Sequence, residues 1–253
     1  MSKAKQTEEL VETPKNTAME RPSFIKTGDA RGTENIGKDD IVFPALKIAQ
    51  DTTAEAKRAD PAYVKGLQSG MFFNSVTKDI YGEEPITIVV VNQLGHRNVE
   101  FAPFDEGGGV IDFNVPDGDP RTQFQTKLVD GKEKRVKPAA TLFYDYLVLA
   151  LLPEGAKVMT LSLKSTQIKK AKVFNSRLLE LKQKGVASFS TKFTAAPTPE
   201  SRGGQTFYGW RIEPAGWVDE QTYAAAEAAY GAFSGKEIKL ETVADEEPEN
   251  QFS

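Results

Sequence analysis

Apolar residues along the middle of the chain alternate with polar ones or gather in short blocks, and this pattern predicts strands. Gly70-Met-Phe-Phe-Asn-Ser-Val-Thr77 is aromatic and β-branched, and a turn is expected after it at Lys78-Asp79 or Tyr81-Gly82. Pro85-Ile-Thr-Ile-Val-Val-Val-Asn92 is the strongest β-forming run and reads as a central strand buried on both faces. Short strands are expected over 98–101 and 110–114, with a loop over 92–98. Asp130-Gly131 fits a type I′ turn between strands at 123–129 and 133–137. A second hairpin spans 140–152 and 157–163 across Pro153-Glu-Gly155, and strands resume at 188–194 and 205–212.

The helical period appears twice. Between a cap at Ser165 or Thr166 and a stop at Gly185, the residues Ile168, Ala171, Leu178 and Leu181 recur on one face. Lys169, Lys170, Lys172, Arg177, Lys182 and Lys184 occupy much of the remainder. An Ala-rich helix is expected over 220–233, and the charged segment 52–67, interrupted by Pro61, reads as a short helix or a loop. The order of elements predicts a mainly β protein with two helices (α+β), built as an elaborated OB-like Greek-key β-barrel. A β-sandwich is the competing architecture. The polar stretch 1–39 reads as a disordered or loosely packed arm, 40–236 as one domain, and 237–253 as a disordered acidic tail.

Composition narrows the chemistry. The 253 residues contain no cysteine, which excludes disulfides, zinc–thiolate sites and cysteine nucleophiles. The longest apolar run, Leu147–Leu152, is too short to span a membrane, and the first residues have no apolar signal-peptide core. A cytoplasmic protein is therefore expected. His96 is the single histidine, so a Ser–His–Asp triad would have to use it, and a His-rich metal site is ruled out. Asp112, Asp117 and Asp119 lie in a Gly/Pro-containing stretch that reads as a turn cluster, with a hard-cation site as the alternative. Neither Gly107-Gly108-Gly109 nor Arg202-Gly203-Gly204 matches a phosphate-binding loop. These readings predict a protein that is not an enzyme and carries no metal or other cofactor.

Charge is unevenly distributed. The net charge is −4, yet Arg121 to Lys192 holds 15 Lys/Arg against 5 Asp/Glu, a local excess of +10. The last nine residues carry Asp245, Glu246, Glu247 and Glu249, no base, and Phe252. A basic body interleaved with aromatics is what a single strand of nucleic acid needs, because bases stack on rings and a positive groove tracks the phosphates. Strand alternation sorts the aromatics. Phe143, Leu147, Leu149 and Leu151 share a core-like face, which leaves Tyr144 and Tyr146 on the other. Tyr208, Trp210 and Ile212 look like core, which leaves Phe207 with Arg211. The stacking candidates are Phe72, Tyr144, Tyr146 and Phe207. The phosphate-contact candidates are Lys132, Lys134, Arg135, Lys169, Lys170, Lys172 and Arg211.

The tail resembles those of bacterial and bacteriophage single-stranded DNA-binding proteins, which end in acids followed by a Phe. Phe43-Pro-Ala-Leu-Lys-Ile-Ala-Gln50 and Gly70-Met-Phe-Phe-Asn-Ser-Val-Thr77 are also similar to a group of tailed-phage proteins regarded as single-stranded DNA-binding. The resemblance implies an OB-fold protein that coats and protects single-stranded DNA during phage replication or recombination. It also implies a tail, Asp245, Glu246, Glu247, Glu249 and Phe252, that docks on replication or recombination proteins. A homo-oligomer is compatible with that role. The alternatives are a β-rich virion structural or interaction protein, and a metal-dependent nuclease built on Asp112, Asp117 and Asp119.

Overall fold

The computed structural model describes residues 32, 42–103, 109–129, 132–235, 238 and 240. The chain divides into two units, Met1–Gly37 and Lys38–Ser253, and apart from Gly32 the described residues belong to the second. The expected arm lies outside the described residues except for Gly32, and so does the expected tail except for Ile238 and Leu240.

The elements run β1 (Leu46–Ile48), β2 (Phe72–Asn74), β3 (Ile80–Gly82), β4 (Ile86–Phe101), β5 (Val110–Val115), β6 (Gln125–Val129), β7 (Lys132–Val136), β8 (Ala140–Leu152) and β9 (Gly155–Lys164). Helix α1 (Ile168–Gln183), β10 (Thr191–Arg202), β11 (Gln205–Trp217) and α2 (Glu220–Phe233) follow. The main sheet is antiparallel in the order β11-β10-β4-β8-β9, with β5 also paired to β4. Strands β1, β2 and β3 form a small antiparallel sheet, and β6 and β7 a two-stranded one.

The protein is mainly β with two helices, but the expected closed barrel is not formed: β9 and β11 stand at opposite ends of the sheet order. The reason lies in how its centre is covered. Val90, Tyr146, Val148 and Ala150 pack with Ala171 and Phe174 of α1 and with Leu46, Ile48 and Phe72 of the small sheet. On the opposite face Val89, Val91, Leu147 and Leu149 pack with Phe189 and with Ala226 and Ala229 of α2. A sheet buried on both faces is satisfied as an open layer between other layers and has no need to curl around its own core. The run Pro85–Asn92 is thus central, as its β-branched composition predicts, with Val89, Val90 and Val91 all buried.

Strand β4 is longer than its sequence pattern indicates. The residues 92–98, expected as a loop, continue the strand through two register shifts against β8, one between Val90 and Asn92 and one between Gln93 and Gly95. Gly95 takes φ +106 at the second shift, a conformation that side-chain-bearing residues rarely adopt. The far half of β4, with His96 and Arg97, is therefore paired into the sheet, with β8 on one side and β5 on the other.

Only Lys192–Ala195 of β10 pair with β4; from Ala196 onward β10 pairs with β11 alone. Two glutamine side chains hold that outer part of the hairpin. Gln50 Nε2 donates to the Tyr208 carbonyl at 2.9 Å and its Oε1 accepts from the Tyr208 amide at 2.8 Å. The Gln167 Oε1 accepts from the Trp210 amide at 3.0 Å. A primary amide offers the same donor and acceptor as a peptide group, so Gln50 substitutes for one residue of a neighbouring strand. Trp210 then rests on Phe72 at 5.3 Å between ring centroids. Gly70 has φ +89, and a Cβ there would meet the Tyr208 ring at 2.9 Å.

Gly70→Ala should therefore lower unfolding stability by about 1–3 kcal/mol, since it adds both backbone strain and a clash. Urea denaturation measures it. A control Gly204→Ala, where φ is +82 but no atom lies within 4 Å of a Cβ, should show a smaller loss.

Candidate nucleic-acid interface

A cleft of about 170 Å³ opens where the small sheet, the β8–β9 end of the main sheet and the outer β10–β11 hairpin meet. Its lining includes Lys47, Arg97, Phe143, Lys164, Phe207 and Tyr208. The register explains the grouping. Arg97 of β4 stands opposite Phe143 of β8, and Phe143 opposite Lys164 of β9. The Arg97 guanidinium lies 4.6 Å from the centroid of the Phe143 ring, and Lys164 Nζ lies 5.4 Å from it. Phe143 is buried and so serves as a platform for the two cations. Phe207 and Tyr208, both half-buried, are the aromatics with accessible surface.

Asp145 anchors the floor. Its side chain is 3% exposed, and Arg97 Nε donates to its Oδ2 at 2.8 Å. Ser162 Oγ donates to Oδ1 at 2.5 Å. The carboxylate is thereby satisfied on both oxygens, which is the condition for burying it.

The residues expected to contact a ligand are scattered. Phe72 is fully buried against Trp210, so it has no face for a base. Tyr146 is equally buried, and its hydroxyl donates to Asn175 Oδ1 at 2.7 Å. Burial, aided by the neighbouring Tyr144 and Asp145, raises the Tyr146 phenol well above its ordinary value. The alternation that separates Tyr146 from Phe143 is right, but the face given to Tyr146 is also core, because α1 covers it. Tyr144 is half-buried, its ring 5.9 Å from that of His96. Phe207 lines the cleft, and Arg211 is exposed further along β11.

Lys132, Lys134 and Arg135 are exposed on β7, with the Arg135 guanidinium 4.0 Å over the Phe124 ring. Lys169 and Lys172 are exposed on α1. Lys170 is committed elsewhere, to Glu200 and, at 2.7 Å, to the Trp210 carbonyl. The tail residues Asp245, Glu246, Glu247, Glu249 and Phe252 lie outside the described residues. Sequence reasoning missed Lys47, Arg97, Lys164 and Tyr208. Arg97 sits in the stretch expected as a loop, and only the β4–β8 register would have placed it beside Phe143.

The acidic stretch weighed as a cation site is organised around a cation of its own. Arg121 reaches Glu100 at 2.7 Å, Asp112 at 3.1 Å and Asp119 at 2.9 Å. Asp117 instead faces His96 at 2.8 Å and Asn98 at 2.9 Å. Those two bonds, His96 first, hold its carboxyl below the ordinary range. Among the described residues no cluster of His, Asp and Glu is arranged to hold a metal ion, and no helix is long and apolar enough to cross a membrane.

A protein-family model described as "Pam3 phage gp34-like protein" matches residues 14–239. No curated protein and no solved structure gave a match.

Arg121 bonds pull the Asp119 carboxyl down to about 2. With a folded pKa below the unfolded one, the attachment of this loop is fully present above about pH 4 and is lost as pH falls through about 2. As read by carbon-detected NMR titration, the Asp119 midpoint in Arg121→Gln should rise toward the ordinary carboxylate value but stop short of it, because the residue-121 amide still donates to Oδ1.

Proposed function

The chain belongs to the Pam3 phage gp34-like family, whose description points to a bacteriophage protein, and on that premise we propose that it binds single-stranded DNA without sequence preference. Its role on this reading is to protect exposed strands during phage replication or recombination. The observation that carries the proposal is the cleft in which Lys47, Arg97 and Lys164 adjoin Phe207 and Tyr208. Cations beside partly exposed rings meet the two requirements of sequence-tolerant strand binding: phosphate attraction and base stacking. The exposed bases of β7 and α1, Lys132, Lys134, Arg135, Lys169 and Lys172, are further candidate phosphate contacts for a longer strand. The acids of the tail, with Phe252 beside them, supply either a competitor for that surface or a docking peptide for replication proteins.

A second reading, a virion structural or interaction protein, has its own support. Ile111 (60% exposed), Phe113 (44%), Phe124 (55%) and Leu128 (74%) present apolar side chains on and around β5 and β6. Self-assembly that depends on these side chains, with no affinity for nucleic acid, would favour it.

Fluorescence titration with a labelled oligothymidylate should show affinity falling steeply with salt, by about 0.7 log units per log unit of salt for each phosphate neutralised. A flat response would rule the proposal out. Phe207→Ala should weaken binding by about 1–3 kcal/mol if a base stacks on that ring. Deleting Asp245–Ser253 should strengthen binding at low salt, an effect that fades as salt rises.

A further inference from the structure

Strands β6 and β7 stand apart from the other sheets. Among the described residues they pair only with each other, and every described side chain of this ribbon is exposed except Val136, which is half-buried. A two-stranded ribbon with neither face covered is marginal in water by itself. Its base is fastened to the end of the β4–β8 ladder. Arg121, just ahead of β6, donates to Glu100 at 2.7 Å, and Glu100 stands opposite Ala140, where β8 begins. Gln125 Nε2 adds a bond to the Pro120 carbonyl at 3.3 Å.

The register sorts the side chains, because partners in an antiparallel ladder share a face. Thr126 with Arg135 and Leu128 with Glu133 lie on one face, and Lys132 and Lys134 on the other. Phe124, one residue before β6, joins the first face: the Arg135 guanidinium lies 4.0 Å over its ring. The ring is nonetheless 55% exposed. Arg135 takes one flat side of it, and a second planar group has room on the other.

Charge decides what that group belongs to. Residues 123–137 hold five bases (Lys127, Lys132, Lys134, Arg135 and Lys137) and two acids (Asp130 and Glu133), an excess of +3. A second copy laid ribbon against ribbon would set bases against bases, whereas a polyanion is attracted. A single nucleic-acid strand brings both a base for the ring and phosphates for the cations. The position also suits it. Arg97 and Phe143, at the cleft, stand three rows along the ladder from Glu100 and Ala140, roughly 10 Å at about 3.4 Å per residue.

We infer that Phe124 is a base-stacking residue outside the cleft. Arg135 holds the ring from behind and contacts the adjoining phosphate, and the β6–β7 ribbon is an arm for a strand leaving the cleft. This inference rests on the single-strand reading, to which it adds a second stacking point.

The full chain is compared with Phe124→Ala, Phe124→Trp and Arg135→Gln. Circular dichroism melting checks that each is folded, and these exposed positions should leave it unchanged. Anisotropy with a long fluorescein-labelled oligothymidylate across a salt series measures affinity. Irradiation of the wild type with an oligonucleotide carrying iododeoxyuridine, followed by peptide mapping, locates the stacked ring.

Phe124→Ala should bind about 5- to 100-fold more weakly with the salt slope unchanged, because the ring carries no charge. Phe124→Trp should restore the affinity. Arg135→Gln should make the slope shallower by about 0.7, the share of one phosphate. The crosslink should map to Phe124. Wild-type affinity in Phe124→Ala with no crosslink at Phe124 would overturn the inference, and the single-strand reading would stand if Phe207→Ala still weakened binding. Self-association in sedimentation that Phe124→Ala abolishes, with oligonucleotide affinity unchanged, would also overturn it and give the ring to a second copy. A wild type without affinity for the oligonucleotide would overturn both.

Discussion

The ladder between β4 and β8 is the constraint on which the remaining structure depends. It runs from Thr87 opposite Leu151 to Glu100 opposite Ala140, nearly the full length of both strands. The two strands serve different ends along that length. Toward Thr87 their side chains are apolar on both faces and take α1 on one and α2 on the other. Toward Glu100 the same ladder carries Arg97, Asn98 and Asp145, and the neighbouring strand changes from β10 to β5. Burial of a large apolar side chain contributes about 1.5–3 kcal/mol, so the near half holds the far half in register. The polar end is built on a support that it does not itself stabilise.

That division places the cleft. A buried carboxylate needs its partners at fixed positions, and the ladder puts Arg97 and Ser162 on either side of Asp145. The other wall comes from the outer β10–β11 hairpin, which has left the sheet and is held by Gln50, Gln167 and Lys170 and by Trp210 packed on Phe72. The glutamine side chains replace peptide partners where no strand is present. Gly70 allows the Tyr208 ring to settle close to the chain, and Phe72 receives Trp210. Each wall is set by contacts between residues far apart in sequence.

Local patterns were legible where the periodic signal was strong. The helix over 220–233 follows from its Ala-rich composition, and Asp219 caps it by accepting from the Thr222 amide at 2.8 Å. The hairpin of β8 and β9 follows from two apolar runs around a Pro-Glu-Gly turn, and α1 stops before Gly185, at φ +69. Signals failed where the strand was polar. Asn92 to Asn98 has the composition of a loop, but pairing with β8 makes it strand, and a glycine at positive φ absorbs the register shift. Phe174, although lysines flank it in the sequence, is a core residue, packed edge-on against Phe193 at 5.0 Å.

The sequence by itself determined the mainly β character, both helices, the absence of cysteine chemistry and the separation of a basic middle from an acidic end. Those properties depend on residue type and short-range period, which the chain carries locally. The tertiary structure alone decided that the sheet stays open, that Tyr146 and Phe72 are core, and that Arg97, Phe143 and Lys164 form one row. Alternation assigns a strand's two faces but cannot say what covers them, because that depends on which layer packs there. A row across three strands depends on register, which is set by pairing between segments that the sequence does not place side by side.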